Sequence, residues 1–142
     1  TTAASTAATA SVPRMAEASY PTDLLYHPEH DWVKLEGDTA VFGITWYAQD
    51  ALGEVVFFDP PQVGTSVTKD EPYAEVESVK AVSDVIAPLS GEIVEVNSGL
   101  SDTPDAINDD PYGDGWLVKV KLSDASEQAA LLEQSAYVSS LS

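Results

Sequence analysis

Glu75-Val76-Glu77-Ser78-Val79-Lys80-Ala81-Val82-Ser83-Asp84-Val85-Ile86-Ala87-Pro88-Leu89-Ser90-Gly91-Glu92-Ile93-Val94-Glu95-Val96-Asn97 is the stretch on which the reading of this chain turns. Residues 73–78 and 81–86 are short valine-rich runs with interspersed polar side chains, the composition of strands on a half-buried sheet. Val79 and Lys80 stand between them. That pair lacks the Asn-Gly or Asp-Gly of the strongest hairpin signal, so the hairpin rests on its two flanking runs. Folded this way, the chain holds Lys80 at the end of an arm with its ammonium in water.

Glu77-Ser78-Val79-Lys80-Ala81, followed by Ser83-Asp84 and Ala87-Pro88-Leu89-Ser90-Gly91-Glu92, resembles the lipoylation segment of the glycine cleavage system H proteins. The resemblance extends through His30-Asp31-Trp32-Val33, Gly43-Ile44-Thr45, Ala48-Gln49, Leu52-Gly53-Glu54-Val55-Val56 and Pro111-Tyr112-Gly113-Asp114-Gly115-Trp116. These stand in the family's order and approximate spacing and cover residues 20–141. Trp46 stands where the family usually has a small acid or amide, and Ala74 where it usually has glycine. Both departures bear on the cleft beside the arm, where Trp46 either lines the rim or packs as core.

The resemblance implies lipoate bound covalently, in amide linkage, on Lys80. It implies a shuttle with no catalytic residues of its own. A pyridoxal-phosphate-dependent glycine decarboxylase loads the arm with an aminomethyl group. An aminomethyltransferase passes the one-carbon unit to tetrahydrofolate, and dihydrolipoamide dehydrogenase reoxidises the dithiol. A lipoate ligase or lipoyl transferase is the further partner. The alternatives are an H-like protein that relays lipoyl groups to other enzymes, or a biotinyl or lipoyl domain of another complex. The resemblance also implies a monomer in the bacterial cytoplasm, or alternatively in the mitochondrial matrix.

Composition bounds the same question from the other side. With 142 residues, 44% of them hydrophobic, the chain is one globular domain by length and can bury an ordinary core. Its 24 acids outnumber 6 bases, for a net charge of −18. Such a surface repels nucleic acid and anionic lipid and favours docking on basic protein surfaces. No apolar run approaches the roughly 18 residues of a membrane span. Cysteine is absent, which excludes disulfides and thiolate-held metals.

Residues 1–19 are rich in Ala, Ser and Thr and nearly free of large apolar side chains, so they read as a flexible tail outside the carrier domain of residues 20–142. Met15 offers a native start, with residues 1–14 an added or upstream segment. Arg14 and the absence of acids before Glu17 offer instead a transit-peptide remnant. The first reading is preferred.

Within the domain, residues 32–35 and 39–44 read as strands joined at Glu36-Gly37-Asp38. Thr45 reads as the N-cap of a helix over residues 46–52 that Gly53 ends. Residues 54–58 read as a strand stopped by Pro60-Pro61, residues 92–96 as the strand leaving the hairpin, and residues 116–122 as a half-buried strand. Residues 101–115 form a surface connection with a helical turn in it. Ser123 reads as the cap of a helix that buries Leu131 and Leu132, with a last turn over residues 136–141. Short strands separated by turns predict a mostly β fold, a flattened antiparallel barrel or sandwich with short helices. The resemblance makes it the lipoyl, barrel-sandwich hybrid type with a C-terminal helix beside the arm.

Other chemistries fit poorly. A Schiff-base or general-base lysine needs burial or a cationic neighbour, whereas Glu75, Glu77 and Asp84 are acidic and a hairpin tip is solvated. His27-Pro28-Glu29-His30 has its histidines three apart rather than at i and i+4, with no third ligand, so His30 is read as a structural residue near Trp32. Asn108-Asp109-Asp110-Pro111-Tyr112-Gly113 starts like a calcium loop but has Lys119 where a bidentate glutamate is needed.

Overall fold

The computed structural model describes residues 20–141. The tail predicted for residues 1–19 lies outside these. Ten strands and three short helices follow one another in the described chain. The strands are β1 (Leu25–His27), β2 (Asp31–Glu36), β3 (Thr39–Ile44), β4 (Val55–Asp59), β5 (Ser66–Val67), β6 (Pro72–Ser78), β7 (Val82–Ile86), β8 (Gly91–Val96), β9 (Val118–Leu122) and β10 (Leu132–Glu133). The helices are α1 (Trp46–Leu52), α2 (Ala106–Asp109) and α3 (Gln134–Ser140).

All pairings are antiparallel. One sheet runs β10-β1-β2-β3-β9-β8-β5 and the other β4-β6-β7. The predicted mostly β sandwich is therefore found as two open sheets rather than a closed barrel. Period-two alternation divides the larger sheet between two cores. Val33, Ala40, Phe42, Ile93, Val118 and Val120 face the small sheet, where Val76 and Val85 meet them. On the opposite face, Tyr26, Trp32 and Val41 are covered by Tyr137 of α3. Gly43 sits opposite Trp32 in the β2–β3 register, and a Cβ there would collide with the indole, so the small residue makes room for the large one.

Tyr137 joins the second core to α1. Its ring stacks on Tyr26 at 4.7 Å, and its hydroxyl lies 2.9 Å from Thr45 Oγ1 and 2.8 Å from His30 Nδ1. Thr45 Oγ1 already accepts from Ala48 N as the α1 N-cap, so its own hydrogen is free to go to Tyr137. The Tyr137 hydroxyl then donates to His30. Burial, partly offset by the Thr45 hydrogen bond, pushes the Tyr137 pKa up to about 12.

Two expectations are corrected here. Asp124, not Ser123, caps the segment that follows β9, and that segment is a 3-10 turn over Ala125–Ala130 rather than an α-helix. Leu132 pairs with Tyr26 in a strand, while Leu131 is the buried leucine. His30 packs on the rings of Tyr47 (4.4 Å) and Tyr137 (5.8 Å), which agrees with its reading as a structural residue.

Tyr137→Phe keeps the ring stack and removes the hydroxyl, leaving Thr45 and His30 without their shared partner. It is expected to cost about 1–3 kcal/mol in urea unfolding, whereas a change in the spectrum of the folded state would point to loss of the stack instead.

Candidate functional site

The predicted hairpin is β6 and β7, with Glu77 opposite Val82. Its tip closes through Ser78 rather than through an Asn-Gly pair. Ser78 N donates to Ala81 O at 2.8 Å, and Ser78 Oγ accepts from Lys80 N at 3.2 Å and Ala81 N at 3.1 Å. A serine hydroxyl that bonds its own backbone two and three residues on is a known substitute for a backbone turn. The neighbouring segment holds the tip from below, since Val79 N donates to Glu54 O at 3.1 Å. Lys80 is exposed, and among the described residues its Nζ makes no hydrogen bond or ion pair.

Glu54 is itself held by one amide. Asn108 of α2 accepts from Val55 N at 2.8 Å and donates to Gly53 O and to Gln49 Oε1, both at 2.9 Å. All three partners flank or precede Glu54 at the junction of α1 and β4. Gly53 ends α1 with φ +87°, which glycine adopts without strain. A Cβ there would stand 3.3 Å from Lys80 Cε, so the stem of the lysine lies across the bare glycine.

Two cavities border the elements that carry and support the tip. One, of about 370 Å³, lies beside Gly53 and is lined by Gln49, Asp50, Glu54, Asp105 and Asp109 among others. The other, of about 60 Å³, opens at the free edge of β7 among Glu29, Asp31, Ile44, Leu52, Ser83 and Asp84. Asp31 in its wall is 2% exposed, and its Oδ2 has no hydrogen-bond partner. Burial first, and then the charge of Glu29, pushes the Asp31 carboxyl well above the usual carboxylate range. His30, in the same wall, is held below the usual imidazole value chiefly by burial. A buried acceptor left open in a small cavity is costly unless a donor enters. The arrangement suits a small cationic or hydrogen-bond-donating guest.

The remaining candidates go elsewhere. His27 Nε2 meets Asp70 Oδ1 at 2.6 Å, away from the tyrosine that holds His30. In the loop that resembles a calcium site, Asp110 Oδ2 accepts from Asp114 N at 3.0 Å, and Pro111 O accepts from Trp32 Nε1 at 2.9 Å. Trp46 is half-buried, its amide donates to Tyr112 Oη at 2.9 Å, and its indole lines neither of these two cavities. Ala74 lies at an irregularity of the β6–β7 pairing, opposite Val85. Asn108 and Asp31 escaped the sequence reading as functional residues. In the sequence Asn108 stands out only as a position of the calcium-like loop, and Asp31 only as part of a matching motif.

Two antiparallel sheets, of seven and three strands, that present an exposed lysine on a pinned hairpin define the class of lipoyl-type carrier domains. Residues 24–142 match the family model described as Glycine cleavage H-protein. The chain is 49% identical over 120 residues to the glycine cleavage system H protein of Symbiobacterium thermophilum, covering 84% of this chain and 94% of that one. It is 50% identical over 119 residues to the Bacillus cereus protein of the same description, with the same coverage. The crystal structure of the glycine cleavage system H protein of Mycobacterium marinum aligns with a TM-score of 0.74 at 42% identity, covering 84% of this chain and 96% of that chain. The chain belongs to the glycine cleavage H-protein family. It is a lipoyl carrier component of the glycine cleavage system, not one of its enzymes.

Two outcomes test this geometry. Asn108→Ala leaves Val55 N and Gly53 O without their partner and loosens the seat of the tip. It is expected to speed hydrogen exchange at the Val79 amide, which donates to Glu54 O, several-fold more than Ile107→Val at the fully buried neighbour, at matched loss of stability by urea unfolding. Asp31 contributes with the sign of a raised carboxyl. Its protonated form suits the fold, so that contribution is full below the ordinary carboxylate range and is lost as pH rises through the raised value. Asp31→Asn is therefore expected to melt above the parent near about pH 8, with the gap closing towards about pH 4. The lowered His30 value acts in the opposite direction in both proteins and cancels in the difference.

Proposed function

We propose that Lys80 is the attachment site of lipoate and that the chain shuttles the aminomethyl group of glycine from the decarboxylase to the aminomethyltransferase. The observation that carries this reading is the tip itself. A lysine with a partner-free Nζ stands exposed on a turn pinned from both sides, by Ser78 within it and Glu54 beneath it. An attaching enzyme can reach such an amine, and the rigid base leaves the motion to the arm.

The residues fit the group. Lys80 offers the free amine that an amide linkage needs, and the other four lysines, Lys34, Lys69, Lys119 and Lys121, have no such setting. Lys34 lies in β2, Lys119 and Lys121 lie in β9, and Lys69 is paired with Asp70 at 3.2 Å. A lipoyl group bound there supplies a cyclic disulfide that accepts the aminomethyl unit and a dithiol that dihydrolipoamide dehydrogenase reoxidises. The chain's own residues supply position and shelter. Ser78 and Glu54 set where the arm starts. Asp31 and Glu29 line the small cavity next to β7, where the unpartnered oxygen of Asp31 offers an ammonium an acceptor in place of water. An unpaired buried cation would be expensive, and these acids fit that cargo.

Covalent attachment keeps the arm at high effective concentration at each docked enzyme, and weak docking then suffices. We read the chain as a monomer in this role. Its bacterial relatives favour action in the cytoplasm.

Incubation with lipoate, ATP and a lipoate ligase is expected to add one lipoyl group by intact mass, placed on Lys80 by peptide mapping. Lys80→Arg should melt like the parent and gain no mass. Lipoyl found on another lysine would overturn the assignment.

A further inference from the structure

The outer face of the small sheet carries features that the attachment site alone does not explain. Phe57 on β4, Glu77 on β6 and Val82 on β7 stand abreast, and Phe57 and Val82 are 48% and 59% exposed. A bulge between Val55 and Phe57 turns both Val56 and Phe57 outward on consecutive positions, where regular alternation would bury one of them. Val79, beside Lys80 at the tip, is 69% exposed. The next row holds three acids in register, Asp59, Glu75 and Asp84, all exposed. Like charges directly opposite one another weaken a sheet. None of the three has a salt-bridge partner among the described residues, and Lys80 is the only base between residues 54 and 86 apart from Lys69, which is paired with Asp70.

We propose that this face, the apolar row Phe57 and Val82 with the acid row beside it, is where the enzyme that acylates Lys80 docks. The inference rests on the reading of Lys80 as the acylated residue. The matching surface is an apolar notch rimmed by arginines or lysines next to the opening that admits the amine. Charge complementarity selects such a partner and disfavours a second copy of this chain, whose own face would present the same carboxylates. Geometry selects the acylating enzyme over those that act later. Its reactive carbon must reach Nζ itself, so its surface must lie against the residues around the tip. An enzyme working at the far end of a finished arm has no such need.

The step it serves balances simply. Nζ in its unprotonated form bonds to the carboxyl carbon of a lipoyl adenylate made from lipoate and ATP. The bond from that carbon to the phosphate oxygen breaks, AMP departs with the electron pair, and the proton of Nζ passes to solvent. Nothing is oxidised or reduced.

The test uses the full chain with lipoate, ATP and a lipoate ligase, comparing the parent with Phe57→Ser and Glu75→Lys. Either change is expected to raise the KM for the chain about tenfold while kcat holds within about twofold. Melting should hold within about 3 °C, since both side chains are exposed. The same variants, lipoylated to completion by long incubation, should be reduced by dihydrolipoamide dehydrogenase and NADH at the parent's rate. A KM unchanged in both variants, with Lys80 of the parent modified normally, overturns the docking face and leaves the attachment site standing. An equal slowing with the dehydrogenase also overturns it, because the effect is then not peculiar to acylation. Self-association of the parent that Phe57→Ser abolishes in sedimentation would assign the face to a second copy. A parent that takes no lipoyl at Lys80 overturns the attachment site and this inference with it.

Discussion

The amide of Asn108 holds together the part of the molecule that matters for the site. It accepts from Val55 and donates to Gly53 and Gln49, so helix α1 and strand β4 meet at one fixed angle. Glu54, caught between Gly53 and Val55, can then offer its carbonyl to Val79 from a fixed position. The hairpin tip thus inherits the rigidity of a junction it does not touch in sequence. The alternative at this junction is not a looser bond but an unpaired buried donor or acceptor, which costs more than a hydrogen bond yields. That asymmetry lets a single side chain from a long surface connection fix the lysine's seat.

Around this seat the protein gives up stability in two places. Asp31 is buried with an oxygen unpartnered, and three acids line up across the small sheet. Neither feature serves folding. Asn at the first position, or alternating charges at the second, would each relieve the strain on general grounds. Both features lie on elements that border the lysine, one towards the inner cavity and one on the outer face. Under the function proposed above, this placement would separate shelter for the cargo inside from contact with other proteins outside.

How much of this was legible depended on how local each determinant is. The hairpin, the strands β2 and β3, and helix α1 with its Thr45 cap and Gly53 stop were readable, because composition and caps act within a few residues. Strands β1 and β10 were not. They span three and two residues, too short to show a period, and exist because each pairs with a neighbour distant in sequence. Ser123 reads as a cap by residue type, a role that Asp124 suits equally and fills. The choice is made where the chain leaves β9, and that depends on the sheet. Lys80 could be singled out because its whole frame is contiguous. Asp31 and Asn108 could not, since burial of the one and the three partners of the other are products of topology.

A carrier must move its cargo without moving its own structure, and the placement of its stiffness follows from that. The lysine stem crosses Gly53, where no side chain can obstruct it, and beyond that point nothing in the described structure binds the amine. The backbone up to Lys80 N is tied by hydrogen bonds to the Ser78 hydroxyl and the Glu54 carbonyl, and the side chain beyond it is left free to turn. Ordering a loop at each encounter would cost roughly 1–2 kcal/mol per residue fixed, repeated with every partner. A tip that is already ordered avoids that cost each time and leaves the arm's effective concentration to be set by its own length alone. The same rigidity keeps the outer face of β4, β6 and β7 in a constant relation to Nζ. A docking surface there can therefore register the amine with a reactive carbon without any rearrangement of the carrier.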